Sequence, residues 1–260
     1  MDLQILALVR FAYPGLGGFQ TEHSTVAARQ AHLWAPERME ARLRTLEHVC
    51  LRTLAEQTDG GFRTLIVTGD ALPEPWRSRL HALVASVDGA EVVHHPPENP
   101  RDAMERIVAA RVDPDGPPVV QFRQDDDDGV GLRFVERVRR TAGQCRALHA
   151  QHGRLCIDFP VGYAYAPGPL RVHRTFRHHL GVAHALMLAP SIRRTAVHFP
   201  HHRVGHLMPT VTLPDAPMWL RGIGGNDSDT SAQARALAPP TTEERADLER
   251  RFGLDLGALA

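Results

Sequence analysis

Pro118-Val119-Val120-Gln121-Phe122-Arg123-Gln124-Asp125-Asp126-Asp127-Asp128-Gly129 is the stretch that decides the fold. A short apolar run bounded by a polar break fits a buried strand, and this one ends directly in four aspartates and a glycine. Adjacent carboxylates about 4–6 Å apart repel, raise one another's pKa and destabilise the chain unless a cation compensates. A hard divalent cation such as Mg²⁺ or Mn²⁺ takes carboxylate oxygens and keeps positions open for substrate phosphates. If the segment is extended, side chains alternate. Asp125 and Asp127 then share one side and Asp126 and Asp128 the other, one pair facing a metal and the other meeting arginines or helix amino ends. A solvated acidic turn is the bland alternative. A calcium loop of the EF-hand kind lacks its spacing and terminal glutamate.

The chain on either side repeats the pattern. Apolar runs at residues 3–9, 62–68 and 90–95 predict strands, and residues 185–189 predict another. Residues 36–57 predict a helix, with Met39, Leu43, Leu46, Val49, Cys50 and Leu54 on one face, and 75–87, 101–111 and 132–149 predict three more. Residues 154–165 suggest a strand pair carrying Asp158 among aromatics. Strands alternating with helices imply an α/β fold: an open, mostly parallel sheet with helices on both faces. Ligands of such sheets bind beyond the carboxyl ends of the strands. Arg10, Asp70 and the aspartate run all fall at such ends.

Composition narrows the class. The 260 residues hold 30 basic and 30 acidic side chains, with no lysine, and the formal charge is zero. A general nucleic-acid binder normally has a basic surplus, so no nucleic-acid partner is expected. Three dispersed cysteines exclude a disulfide scaffold and suit a reducing compartment. No apolar stretch approaches the roughly 20 residues needed to span a bilayer, and the amino terminus lacks the pattern of a secretory signal. A cytoplasmic location is expected, with peripheral membrane contact left open. One domain is expected over residues 1–231. Residues 232–260 form a tail with a helix.

The aspartate run resembles the Asp-x-Asp element of nucleotide-sugar glycosyltransferases with the GT-A fold. The likeness extends to Arg10-Phe11, to Arg38, Arg42 and the Leu46-Glu47-His48-Val49-Cys50-Leu51 segment, to Gln57-Thr58, and to Asp70 with Leu72-Pro73. Arg123-Gln124 followed by the aspartates is similar to the Arg-Leu-Asp-Asp-Asp-Asp segment of the rhamnosyltransferase family. Glutamine at 124 departs from that pattern and puts a polar group where a buried one is usual. The resemblance divides the expected domain into a nucleotide-sugar half at 1–140 and an acceptor and metal half at 141–231. It implies that Asp125 and Asp127 bind the donor ribose and a metal-bridged diphosphate. It implies that Arg10, Phe11, Asp70 and Asp126 line the donor pocket, and that Arg123 neutralises the aspartates or holds a phosphate. The Trp219-Leu220 to Ser228 stretch is similar to the family's late segment but lacks its histidine. Asn226 and Ser228 are donor-binding candidates there, as phosphate donors on a Gly-rich loop.

Eight of 16 histidines fall between His173 and His206. His198 is the first choice for a further metal ligand, with His201, His202 and His206 as alternatives. Inverting transfer needs a base to activate the acceptor hydroxyl; the candidates are Asp158, Asp227 and Asp215. Together these readings imply a glycosyltransferase using Mn²⁺ or Mg²⁺, a nucleotide-sugar donor such as dTDP-rhamnose, and a saccharide or other hydroxyl acceptor. The alternatives are a metal-dependent phosphoryl or nucleotidyl transferase and a non-enzymatic histidine-rich metal-binding or scaffold protein.

Overall fold

The computed structural model describes residues 2–17, 23–224, 229 and 231–259. The strands are β1 (Gln4–Arg10), β2 (Arg63–Gly69), β3 (Ala90–His95), β4 (Val119–Asp125), β5 (Gly129–Val130), β6 (Arg154–Asp158), β7 (Val161–Ala166), β8 (Arg171–Phe176), β9 (His184–Leu188), β10 (Thr210–Thr212) and β11 (Trp219–Gly222). Seven form one sheet in the order β10-β6-β9-β4-β1-β2-β3. The block β4-β1-β2-β3 is parallel throughout, and β9 runs antiparallel to both its neighbours. The expected open, mostly parallel sheet is present.

Near-continuous apolar strands follow from burial on both faces. Ile5, Ala7, Val9, Ile66, Val120 and Phe122 pack on one side with Met39, Leu43, Leu46, Cys50, Leu54 and Phe134. Leu6, Leu8, Leu65 and Val67 pack on the other, against Ala103, Met104 and Ile107 of the helix Pro100–Ala109.

Several local expectations are corrected. The helix expected over residues 36–57 opens into a π-helical turn at Leu46–Leu51 between Pro36–Thr45 and Arg52–Ala55. The helix expected over 132–149 is two, Phe134–Gln144 and Arg146–His152, broken at Cys145. Residues 154–165 hold two strands as expected, but the two do not pair with each other: β6 belongs to the large sheet and β7 to a second sheet of order β5-β11-β7-β8. The helix Thr242–Phe252, with a Thr241/Glu244 capping box, packs Leu248 and Phe252 on that second sheet. Leu254, Leu256 and Leu259 join the same cluster beside Tyr163, Tyr165 and Leu220.

Candidate functional site

Strand register brings the carboxyl ends of β1 and β4 level, with Arg10 opposite Asp125. Alternation directs Leu8, Arg10, Arg123 and Asp125 to the face covered by the helix Pro100–Ala109. A cavity of about 470 Å³ opens there, lined by these residues together with Asp128, Arg177, His201 and Arg221. Its size is that of a small-molecule site. Arg10 Nη2 donates to Asp125 Oδ1 at 2.8 Å, and the Asp125 side chain is 41% exposed.

The four aspartates are not extended. Asp128 N donates to Asp125 O at 3.0 Å, and Asp125 N donates to Asp128 Oδ2 at 3.2 Å, closing a turn. The alternation expected above is therefore replaced by a different division. Asp125 and Asp128 line the cavity, whereas Asp126 and Asp127 point at Arg42. Arg42 Nη1 lies 2.5 Å from Asp126 Oδ1 and 3.3 Å from Asp127 Oδ1, and all three side chains are about nine-tenths buried or more. The second sheet clamps the turn from the other side. Tyr165 Oη donates to Asp127 O at 2.7 Å, and Gly222 N donates to Asp128 Oδ1 at 3.3 Å. A Cβ on Gly222 would come within 2.6 Å of Asp127 Oδ2, so β11 needs glycine for this approach.

Electrostatics follow the same division. Burial pushes the Asp125 carboxyl up, but the charge and hydrogen bond of Arg10 outweigh it and hold the group below the usual range. Burial raises Asp126 despite Arg42. Burial, then Asp127 and Asp125, drive Asp128 well above its ordinary value. Arg123 is lowered by burial and by Arg10, yet an arginine stays charged. Among the described residues Arg123 makes no hydrogen bond or ion pair, so it does not neutralise the aspartates by contact.

Asp125 and Asp128 are the two carboxyl groups of the turn that face the cavity; Mg²⁺ is commonly held by one or two carboxylates together with substrate phosphates. Among the described residues no group of three or more His, Cys, Asp or Glu is arranged to hold a metal. Asp127, expected as a ligand, is turned to Arg42. His198 is away from the cavity, its Nδ1 accepting from Thr195 N at 3.1 Å and its Nε2 lying 3.7 Å from Glu105.

Other expected site residues fall elsewhere. Phe11 is core, with no exposed surface. Asp70 follows β2 but does not line the cavity. Asp158, expected as base, is fully buried at the end of β6. Its Oδ1 accepts from His179 N at 3.0 Å, and His178 Nδ1 lies 3.2 Å from its Oδ2. It braces the turn in which His179 takes a positive φ of 52°. Asp215 is on another cavity, 63% exposed and bound to Arg137. Asn226, Asp227 and Ser228 lie outside the described residues.

Sequence reasoning missed Arg177 and Arg221, which reach the cavity from beyond β8 and from β11. It placed His201 only among several histidines. His201 Nδ1 donates to His179 O at 2.8 Å, and burial lowers its pKa. The ring is then neutral near pH 7 with Nε2 as its acceptor nitrogen.

The polar cavity lies beyond the carboxyl edge of an α/β sheet, the place where ligands of such sheets commonly bind. A family model described as "Putative rhamnosyl transferase" matches residues 4–235. The chain belongs to that family of glycosyltransferases. No curated protein matches it. Similar solved structures include S. aureus TarS 1-349, at 10% identity and TM-score 0.42, covering 84% of this chain and 60% of that one. The same protein in complex with UDP-GlcNAc gives 10% identity and TM-score 0.40, covering 89% and 60%. A "putative nucleotide-diphospho-sugar transferase" from Desulfovibrio desulfuricans G20 gives 13% identity and TM-score 0.43, covering 99% and 93%. The chain thus spans about 60% of the length of the first of these. Among the described residues no helix is long and apolar enough to cross a membrane.

Proposed function

We propose that the chain transfers a sugar, rhamnose or a related deoxysugar, from a nucleotide-sugar donor such as dTDP-rhamnose to a hydroxyl of a saccharide acceptor. The observation that carries this reading is the cavity where Arg10, Arg123, Arg177 and Arg221 meet Asp125 and Asp128. Arginine forks suit phosphate oxygens, and among the described residues Arg123 has no hydrogen-bond or ion-pair partner to give up. Mn²⁺ or Mg²⁺ at Asp125 and Asp128 would add positive charge against the departing nucleoside diphosphate. Arg10 keeps Asp125 ionised for that role and positions it at the strand end. Arg42, Tyr165 and Gly222 hold the aspartate turn still while the donor binds. His201, with Nε2 free of its Nδ1 hydrogen bond, can take the proton of an acceptor hydroxyl.

The test is turnover of dTDP-rhamnose with Mn²⁺, with and without a saccharide acceptor. Asp125→Asn and Asp128→Asn should each lower it about 100-fold or more, and EDTA should abolish it. Full, metal-stimulated turnover in both variants would sink the assignment. Calorimetry against a nucleotide-sugar panel separates this reading from a phosphoryl or nucleotidyl transferase, which would not discriminate among the sugars. The histidine-rich scaffold is less favoured, since the described histidines are not gathered around a metal position.

A further inference from the structure

A second cavity, of about 360 Å³, shares no lining residue with the first. It lies between the helix Phe134–Gln144, the loop before β11 and the carboxy-terminal helix Thr242–Phe252. Five arginines line it, Arg133, Arg137, Arg140, Arg250 and Arg251, against the single carboxylate of Asp215. Glu136 engages Arg133, and Asp247 engages Arg250 and Arg251. Counting those two carboxylates as well, the guanidinium charge is still in excess. The backbone joins the same elements, Leu132 N donating to Arg251 O at 2.8 Å.

Arg137 distinguishes this cavity from an ordinary basic surface. Its side chain is only 8% exposed, and its guanidinium lies 5.3 Å from the centroid of the Phe159 ring. Among the described residues its Nε is buried without a hydrogen-bond partner, and its one carboxylate, Asp215, is mostly in solvent. Asp215 can swing away; Arg137 cannot. Arg140, one helical turn further on, makes no hydrogen bond or ion pair among the described residues. A buried guanidinium with a spare N–H and an unpaired neighbour suits a tetrahedral anion approached by several donors.

We propose that this cavity is a binding site for a phosphate group, carried by a soluble phosphate ester or a lipid headgroup, separate from the cavity beside Asp125. Arg137 anchors the phosphate, and Arg140 and Arg250 close on it from the rim. The probes are inorganic phosphate and glucose 6-phosphate by calorimetry, and phosphatidylglycerol vesicles by co-sedimentation, all on the full chain. The double variant Arg140→Ala/Arg250→Ala, at exposed positions, should weaken phosphate binding about tenfold or more with its melting temperature preserved. Arg177→Ala, in the first cavity, should leave that affinity in place. Arg137→Met should abolish binding, and if it does not fold the double variant still decides. Glucose 6-phosphate binding without vesicle binding identifies a soluble ester; vesicle binding that the double variant loses identifies a headgroup. No binding of any probe, or binding that follows Arg177 and ignores Arg140 and Arg250, would overturn the site.

Discussion

Gln124 offers a sharp test of how the strand-end site is built. Gln124 is 2% exposed, and among the described residues neither its Oε1 nor its Nε2 has a hydrogen-bond partner. A buried amide without compensation costs about 1–3 kcal/mol by the measure of protein variants. Gln124→Leu removes that penalty while roughly keeping side-chain volume, so the folded state should gain about 1–3 kcal/mol. For a chain of this size each kcal/mol moves the melting temperature by about 2–4 °C. The expected rise is therefore roughly 2–12 °C by the same scaling, with a matching shift of the urea midpoint at unchanged m-value. Gln124 also borders the first cavity, so nucleotide-sugar affinity should be measured on the same variant. Unchanged affinity with raised stability means the amide is a tolerated defect. Lowered affinity with raised stability means the amide is kept for the ligand, the pattern expected when a site stores a local penalty. A variant no more stable than the parent would refute the reasoning, because the amide would then have to be satisfied after all.

Three further outcomes are expected. Gly222→Ala forces a Cβ within 2.6 Å of Asp127 Oδ2 and should cost about 1–3 kcal/mol through overpacking; Gly143→Ala, with open space at its Cβ, should instead add about 0.5–1 kcal/mol, both read by thermal unfolding. His184 is fully buried in β9, and burial, with Arg123, pushes its pKa down to about 3. The unfolded chain then binds more protons than the folded one from about pH 6.5 down to about 3. Stability present above that window should be lost as pH falls through it. Urea titrations across the window should show a shallower pH slope in His184→Asn, and an unchanged slope would count against this assignment.

The parallel half of the sheet was legible because its strands are buried on both faces, which leaves apolar runs such as Ile5–Val9 and Leu65–Val67. β8 was not, since Arg171–Phe176 buries only Val172 and reads as a polar segment. The π-helical turn was invisible because Leu46, Val49, Cys50 and Leu54 also satisfy ordinary helical spacing. At the site, Arg10, Arg123 and Asp125 could be found because strand ends converge at one edge. Arg177 and Arg221 could not: they arrive by tertiary packing of the second sheet, which no local pattern encodes. The aspartates were misdivided because a hydrogen bond three residues long, Asp128 N to Asp125 O, converts an assumed ribbon into a turn. Asp158 looked like a base because sequence does not reveal that both of its oxygens are already engaged.

The carboxy-terminal helix has a practical corollary. The family match ends at residue 235, but the apolar interior does not. Leu248, Phe252, Leu254, Leu256 and Leu259 fill the underside of the sheet that holds Tyr165 and Gly222. A chain trimmed to the boundary of the match would lose these five side chains and lay bare Tyr163, Tyr165 and Leu220. Its acidic turn would then hang from a sheet with no backing, and loss of turnover in such a fragment would report a missing foundation and say nothing about the chemistry above it.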